Sequence, residues 1–506
     1  MARLVELAIA WGRLTDERSR VLAAPLVCAI AFLGACTVGP DYVPPKASLP
    51  ASYSEAAQST SNAPPAASAL ESTWWMNFGD PVLNHLIDEA QQTAPDLAEA
   101  EARVREARAL RGVAGAAEYP EVEAGAAYAR THGSANVPVG VPPGGLGQGI
   151  DGNLWQAGFD ATWEIDVFGG TRRRIEAANA AYAASVAERG DAVLTLDGEI
   201  ARDYVALRGA QRRLAVAQEN LSIQRDAFAL TRSQFDAGLA SRLDVLRAQA
   251  QVEATEAEIP TFVTDARASI YRIGALVGVP PESLLPELDP PQPIPTPITD
   301  VPVGLPSDLL QRRPDIRAAE RRLAAANARI GEAKADLYPH FYLTGAAGLE
   351  SLDASTFLTA PSRYLSIGPA ISWLVFDAGK VRFTVQAQEA STDEAAAQYR
   401  RVVLGALRDV ETALVAYGQA KVRRENLAAE TSADRDAVQI AERLYGQGLD
   451  DFLPVLDAER SLYVAEDKLA QTDRDRDIAL VALYKALGGG WLDATAPVAS
   501  SSPAKP

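Results

Sequence analysis

The stretch Trp155-Gln-Ala-Gly-Phe-Asp-Ala-Thr-Trp-Glu-Ile-Asp-Val167 decides how this chain is read, because its apolar side chains recur at every second residue. Trp155, Ala157, Phe159, Ala161, Trp163, Ile165 and Val167 alternate with Gln156, Gly158, Asp160, Thr162, Glu164 and Asp166. A period of two is a strand with one apolar face. The pattern returns in Leu365, Ile367, Pro369, Ile371, Trp373 and Val375, with Pro369 weakening it locally. A partner strand precedes each, over Val122 to Arg130 and over Phe341 to Leu349. A half-buried soluble sheet would alternate in the same way. The strands also suit tilted membrane strands of ~9–11 residues with interfacial aromatics, and four of them are too few to close a barrel, for which about eight is the lower limit. If they cross a bilayer, several chains must pool them.

The two hairpins belong to an internal duplication. Ala94-Pro-Asp-Leu97 parallels Arg313-Pro-Asp-Ile316, and Glu118-Tyr119-Pro120 parallels Leu337-Tyr338-Pro339, both 219 residues apart. Further on the offset is 210, pairing Trp163 with Trp373 and Gly238 with Gly448. The difference falls in the Pro/Gly-rich tract Asn136 to Gly149, which reads as an enlarged loop of the first copy. Pro280 to Pro306 is dense in proline and reads as a stiff linker. The expected organisation is residues 1–35 signal peptide, 36–80 anchored extended segment, 81–279 first repeat with its hairpin at about 119–168, 280–306 linker, 307–491 second repeat with its hairpin at about 338–376, and 492–506 disordered tail.

No proline interrupts Thr171 to Phe235, and Val193, Ile200, Leu207, Leu214, Leu221, Phe228 and Phe235 recur at strict sevens. That spacing is a supercoiling helix, reaching about 100 Å at 1.5 Å per residue. A second helix follows Gly238, and the later copy repeats the pair over Lys380 to Gly446 and Leu449 to Leu487. Gly238 and Gly448, each just past a long helix, supply the left-handed residue that reverses the chain. The same heptads would serve a plain coiled-coil scaffold without a pore.

Composition narrows the function. The net charge of −18 excludes a surface for phosphate backbones, so no nucleic acid is expected as partner. The two cysteines, Cys28 and Cys36, lie in the first forty residues, and the body can form no internal disulfide. Arg18 and Arg20 precede the apolar run Val21 to Leu33, the core of a signal peptide, and Leu33-Gly34-Ala35-Cys36 resembles the lipobox of bacterial lipoproteins. By that resemblance Cys36 is lipidated, which anchors the chain in outer-membrane lipid. No apolar stretch approaches the ~20 residues of a membrane helix. His85, His132 and His340 are scattered without metal spacing. The run Gly144 to Gly149 lacks the strand-turn-helix context of a nucleotide cradle, and no nucleophile elbow or zinc-protease helix occurs. No cofactor, metal or enzymatic activity is expected.

The chain resembles the TolC-like outer-membrane factors, in their lipoprotein branch. The resemblance is carried by Cys36-Thr-Val-Gly-Pro-Asp-Tyr42, Trp74-Trp75 with Phe78-Gly-Asp-Pro81, Leu310 to Glu320 (LQRRPDIRAAE), and Lys485-Ala-Leu-Gly-Gly-Gly-Trp491. It implies a mainly α fold with membrane β: an internally duplicated chain whose four strands join those of two further copies in a twelve-stranded barrel, continued by a coiled-coil tunnel. It also implies a homotrimer, a periplasmic adaptor and an inner-membrane pump of the RND type as partners, and passive conduction in a multidrug efflux system. Channels for type I protein secretion or metal-ion efflux share these features. By residue-wise match, Leu453 forms an apolar ring and Asp457 a carboxylate ring at a periplasmic gate, with Arg460 and Tyr445 latching neighbouring helices. Leu453, Asp457 and Arg460 share one helical face by spacing, which an ordinary solvated pair would also do. The first copy has Phe235 and Arg247 at the positions of Tyr445 and Asp457, so the ring comes from the second copy alone.

Overall fold

A computed structural model describes residues 37–46, 49–55, 73–132, 152–297 and 305–489. The signal peptide, Cys36, the tract 136–149 and the tail 492–506 lie outside the described residues. Elements follow in the order α1 (Pro81–Thr93), α2 (Pro95–Ala116), β1 (Glu121–Thr131), β2 (Gly152–Ile165), α3 (Gly170–Asp236) and α4 (Arg242–Val277). The second copy gives α5 (Pro314–Ala335), β3 (His340–Ser351), β4 (Arg363–Ser372), α6 (Lys380–Gly446) and α7 (Phe452–Leu487). The duplication is visible in the lengths: α2 and α5 have 22 residues each, α3 and α6 have 67, α4 and α7 have 36. Among the described residues no helix is long and apolar enough to cross a membrane.

Two compact units result, each drawing on both copies. One holds residues 107–182 and 321–396 with the N-terminal 1–44; the other holds 45–106, 183–320 and 397–506.

The first unit contains a single antiparallel sheet in the order β1-β2-β3-β4. Directly opposed residues share a face, so the register decides what each face carries. Val122, Ala161, Gly345 and Ile367 form one row, and Ala124, Phe159, Ala347 and Leu365 the next row but one. Aromatics close both ends of this apolar face: Tyr128 and Trp155 lie 4.4 Å apart, ring to ring, at one end, and Trp163 and Phe341 stand at the other. The opposite face sets Glu123 against Asp160, beside Ala346 and Ser366. Two carboxylates facing each other are tolerated only where water reaches them.

Gly125, Gly158, Gly348 and Tyr364 make one row of that polar face. The Tyr364 ring lies over the two central glycines: a Cβ on Gly158 would stand 2.9 Å from its hydroxyl, and one on Gly348 would stand 2.9 Å from its Cε1. An aromatic laid on glycine restores the cover that the missing side chains leave out.

Two strands end earlier than the alternation predicts, β2 at Ile165 rather than Val167 and β4 at Ser372 rather than Val375. Asp166 and Asp377 take the chain out of the ladder. Asp166 accepts from the amides of Thr171 (3.2 Å) and Arg172 (2.9 Å), and Asp377 from those of Gly379 (2.8 Å) and Val381 (2.7 Å). A carboxylate that satisfies the orphan amides of a helix start cannot also continue a strand. Pro369 stays in β4 opposite Leu343; among the described strands β4 pairs with β3 alone, and such an edge strand tolerates a residue without an amide hydrogen. The helix expected from Leu449 begins at Phe452, since Gly448 and Leu449 are used in the turn. The paired tryptophans do the same work in both copies. Trp163 Nε1 donates to the carbonyl of Glu118 (2.9 Å) and Trp373 Nε1 to that of Leu337 (3.2 Å), each the residue before the Tyr-Pro turn.

In the second unit the family motifs form one packed knot. Buried Trp74 stacks on Tyr484 at 5.0 Å, Gly79 turns the chain at φ 63°, and Asp80 caps α1 through the amides of Val82 (2.9 Å) and Leu83 (3.3 Å). Arg313 grips Asp315 with both nitrogens (3.0 and 2.7 Å) and donates to the carbonyl of Ala486 (3.1 Å). Arg208, fully buried, donates to the carbonyl of Pro290 (3.0 Å) and lies 4.8 Å over the Tyr204 ring, fixing where the proline-rich linker departs.

The sheet sets a test. Gly348→Ala should lower the unfolding temperature in detergent, at a cost of about 1–3 kcal/mol, because its Cβ would overlap the Ala157 carbonyl. Gly125→Ala in the same row, with nothing within 4 Å of the added carbon, should leave it unchanged. Equal effects would refute the assigned packing of that face.

Candidate functional site

Two of the regions singled out by the sequence lie among the described residues: the segment that follows Cys36, and the tips of the long helices with the helices that return from them. Cys36 itself is outside the described residues, and the structure begins at Thr37. From there the segment is docked closely. Val38 N donates to the Phe168 carbonyl (3.0 Å), and Asn327 Nδ2 donates to the carbonyl of Pro40 (3.0 Å). Arg173, on the first turn of α3 and buried, donates to the carbonyls of Val38 (3.1 Å) and Gly39 (3.3 Å) and pairs with Asp41 (2.8 Å) and Glu176 (2.8 Å). Gly39 sits at φ 94°, and a Cβ there would overlap the Cα of Gly331. Two glycines back to back let the segment lie against α5. The residue after Cys36 is thereby held at the end of β2, where the chain passes from strand to helix. Gly39 is legible in the family string; Arg173, one of three successive arginines, is not distinguishable from its neighbours in one sequence.

At the other site both tip turns form as expected. Gly238 and Gly448 have φ 76° and 68°. Gly238 N donates to Phe235 O (2.9 Å) and Leu239 N to Gln234 O (2.8 Å), while Gly448 N donates to Tyr445 O (2.9 Å) and Leu449 N to Leu444 O (3.0 Å). Both copies thus close with the same paired bonds that satisfy helix C-terminal carbonyls. The helices that return differ in their caps. Ser241 and Asp244 make a reciprocal capping box ahead of α4, whereas Asp451 ahead of α7 accepts no capping bond from its side chain.

Leu453, Asp457 and Arg460 do share the exposed face of α7, with Leu453 at 43% exposure. Among the described residues neither Asp457 nor Arg460 makes a hydrogen bond or an ion pair. Tyr445 is turned the other way. Its hydroxyl bonds Gln234 of α3, and its ring stands 5.3 Å from Phe452 against the cluster of Ala248, Phe452 and Val455. Burial pushes the Tyr445 phenol up from its ordinary value, with Thr231 opposing and Asp244 adding to the rise, so it remains a neutral donor. Tyr445 therefore ties the tip of α6 to α3 within one chain. Gln234 has no signature that one sequence could reveal, because its counterpart in the second copy is Leu444. His340, scattered in the sequence, meets Glu164 at 2.7 Å where α5 gives way to β3.

The family described as outer membrane efflux protein matches residues 86–279 and 305–489. Nodulation protein T of Rhizobium leguminosarum bv. trifolii is 32% identical over 464 residues, covering 91% of this chain and 96% of that protein. Pyoverdine export outer membrane protein OpmQ of Pseudomonas putida is 34% identical over 430 residues, covering 83% and 88%. Among solved structures, the outer-membrane channel OprN superposes with a TM-score of 0.84 at 38% identity, covering 90% of this chain and all of that one (100%).

Arg173→Ala should free the docked segment. Losing its bonds to two carbonyls and a carboxylate, at about 1 kcal/mol each, raises the exposed fraction of residues 37–41 about a hundredfold. Limited proteolysis would detect cleavage there in the variant and not in the native protein; equal resistance would contradict the docking.

Proposed function

Because this chain belongs to the outer membrane efflux protein family, we propose that three copies pool their strands into one closed barrel and their long helices into a tunnel, a passive outer-membrane duct. Through it an efflux system discharges small molecules handed over by an inner-membrane pump and a periplasmic adaptor. Cys36 carries the acyl chains, and the docked segment after it sets the anchor at the end of the strands. The chain has no reaction to perform. Its work is to be a conduit with one lipid-facing wall, one wetted wall and a constriction.

The observation that carries this reading is a contact made once inside the chain and left half-made at its two edges. Phe168, following β2, stacks on Tyr338 at 4.6 Å beside Phe341 at 6.4 Å. In that contact the end of the first copy meets the start of the second. By the duplication, the start of the first copy offers Tyr119 and Val122 in the places of Tyr338 and Phe341; the end of the second copy has Ala378 in the place of Phe168 and offers Val375 and Phe376 just before it. All four are exposed in one chain, Tyr119 at 70% and Phe376 at 86%. A second copy set against either edge would cover these apolar side chains, Val375 and Phe376 meeting Tyr119 and Val122. Head-to-tail contacts of this kind close into rings. The apolar face with aromatics at both ends suits the lipid, and the face bearing Glu123 and Asp160 suits a water-filled lumen.

At the periplasmic end Leu453, Asp457 and Arg460 form the gate. Among the described residues of their own chain Asp457 and Arg460 find no partner, which leaves each to pair across to the next copy, the pairs offsetting the repulsion within a ring of carboxylates. Tyr445 and Gln234 hold each tip together as a unit, so that opening moves hairpins rather than unravelling them.

Single-channel recording of the purified lipoprotein in a planar bilayer tests the duct and its gate. Native pores should be mostly closed. Asp457→Ala and Arg460→Ala should each raise the open fraction about tenfold, as three modest ion pairs are lost, and the exchange Asp457→Arg with Arg460→Asp should restore closure. Absence of conductance from a folded oligomer would leave only a scaffold; conductance indifferent to both substitutions would move the gate elsewhere.

A further inference from the structure

Two apolar clusters hold α7 in its hairpin pair. One joins Val216 and Ala217 of α3, Phe262 of α4 and Tyr463 of α7. The other joins Ala248 of α4 with Phe452 and Val455 of α7, flanked by Phe228 and Tyr445. Between the clusters, in chain order on each helix, lie buried polar side chains: Asn220 and Gln224 on α3, Thr255 on α4 and Glu459 on α7. Gln224 Nε2 donates to Asn220 Oδ1, while Gln224 Oε1 is buried with no donor. Glu459 is only 4% exposed and makes no hydrogen bond with any described residue. A polar layer between apolar ones in a helical bundle specifies register and rotation rather than adding stability.

We propose that Glu459 is a proton-sensitive positioning residue of the gate: neutral, it packs inside the hairpin pair and fixes the rotation of α7 that presents Leu453, Asp457 and Arg460; ionised, it drives α7 out of that rotation. The inference rests on the gate reading of those three residues. Glu459 lies two residues beyond Asp457, about 200° away around the helix, so the burial of one fixes the outward aim of the other.

The charges around it favour the neutral form. From α6 the group felt is Glu442, of the same sign. On α3 and α4 the charged residues flanking this level, Arg225 and Glu256, pair with each other on the outside, leaving Asn220, Gln224 and Thr255 to face inward. One turn along α7, Tyr463 is bonded to Glu258 of α4. Burial first, and Glu442 second, push the Glu459 carboxyl up to about 7. For an acid raised by folding, the packed form is fully stabilised below the ordinary carboxylate range and loses that advantage as pH rises through the raised value. Assembly can only add burial. Packing of α7 is therefore firmest below the ordinary carboxylate range and loosens progressively as pH rises from there to about 7.

Hydrogen exchange of peptides covering residues 452–463 in the full-length oligomer tests this, compared at about pH 5.5 and about pH 8 after correction for the intrinsic rate. Native protection should fall about tenfold across that interval. Glu459→Gln, an isosteric neutral group, should hold the acid value at both, and Glu442→Gln should shrink the change. The open probability in bilayers should rise with pH in the native protein and stay flat in Glu459→Gln. A native protein without the response, or a Glu459→Gln variant that keeps it, overturns the proposal. An exchange response with conductance that ignores pH overturns the link to the gate; if Asp457→Ala is silent as well, the gate reading itself is what fails.

Discussion

A peptide group in hydrocarbon has no water to bond, so every amide and carbonyl of a membrane-crossing strand must find a partner in protein. Among the described residues four strands form one sheet, and its outer strands β1 and β4 are each paired on one side only. The demand can be met only by another sheet edge, and the duplicated sequence supplies matching ones. In the proposed assembly, oligomerisation is thus not an addition to a finished fold. It is the step that makes the strands admissible in a bilayer, and the helices that grow out of them inherit whatever symmetry it imposes.

The duplication extends the same logic inward. Helices of equal length in the two copies reverse at Gly238 and Gly448 with the same pair of bonds, so the tips end at equivalent points. Within that near-symmetry the copies diverge at the tips and in the helices that return from them. The first copy closes its tip with a capping box and carries Phe235 and Arg247; the second carries Tyr445, Asp457 and a buried carboxyl, and its returning helix starts without a side-chain cap. A weaker helix start beside a titratable buried group is where a bundle can rearrange at small cost. A stiff tunnel with one compliant pair of helices per copy is a reasonable physical form for a gated duct.

Much of this was legible in the sequence because it rests on periodicity. Alternation gave the four strands, sevens gave the long helices, and glycine after a helix gave the turns. What periodicity could not give were the places where one side chain serves two elements. The strands stop at Ile165 and Ser372 because Asp166 and Asp377 turn back to cap helices, a choice that depends on three-dimensional competition for a carboxylate. Tyr445, given a latching role by resemblance alone, meets Gln234, a residue 211 positions away with no counterpart signal. Arg173 was hidden among its neighbours until the docked segment showed which guanidinium was buried. Glu459 is one of many carboxylates on its helix, with nothing in the spacing to set it apart, and only packing reveals that it is inside.

The claim on which the rest stands is that the free edges of one chain are completed by another copy. No cysteine follows Cys36, so one pair can be introduced cleanly at Tyr119 and Phe376, and the chain oxidised in its native membrane. The account predicts a ladder of covalent dimers and trimers that needs both cysteines and stops at three. A cross-link confined within single chains, or monomers alone beside a control pair that reacts, would contradict it.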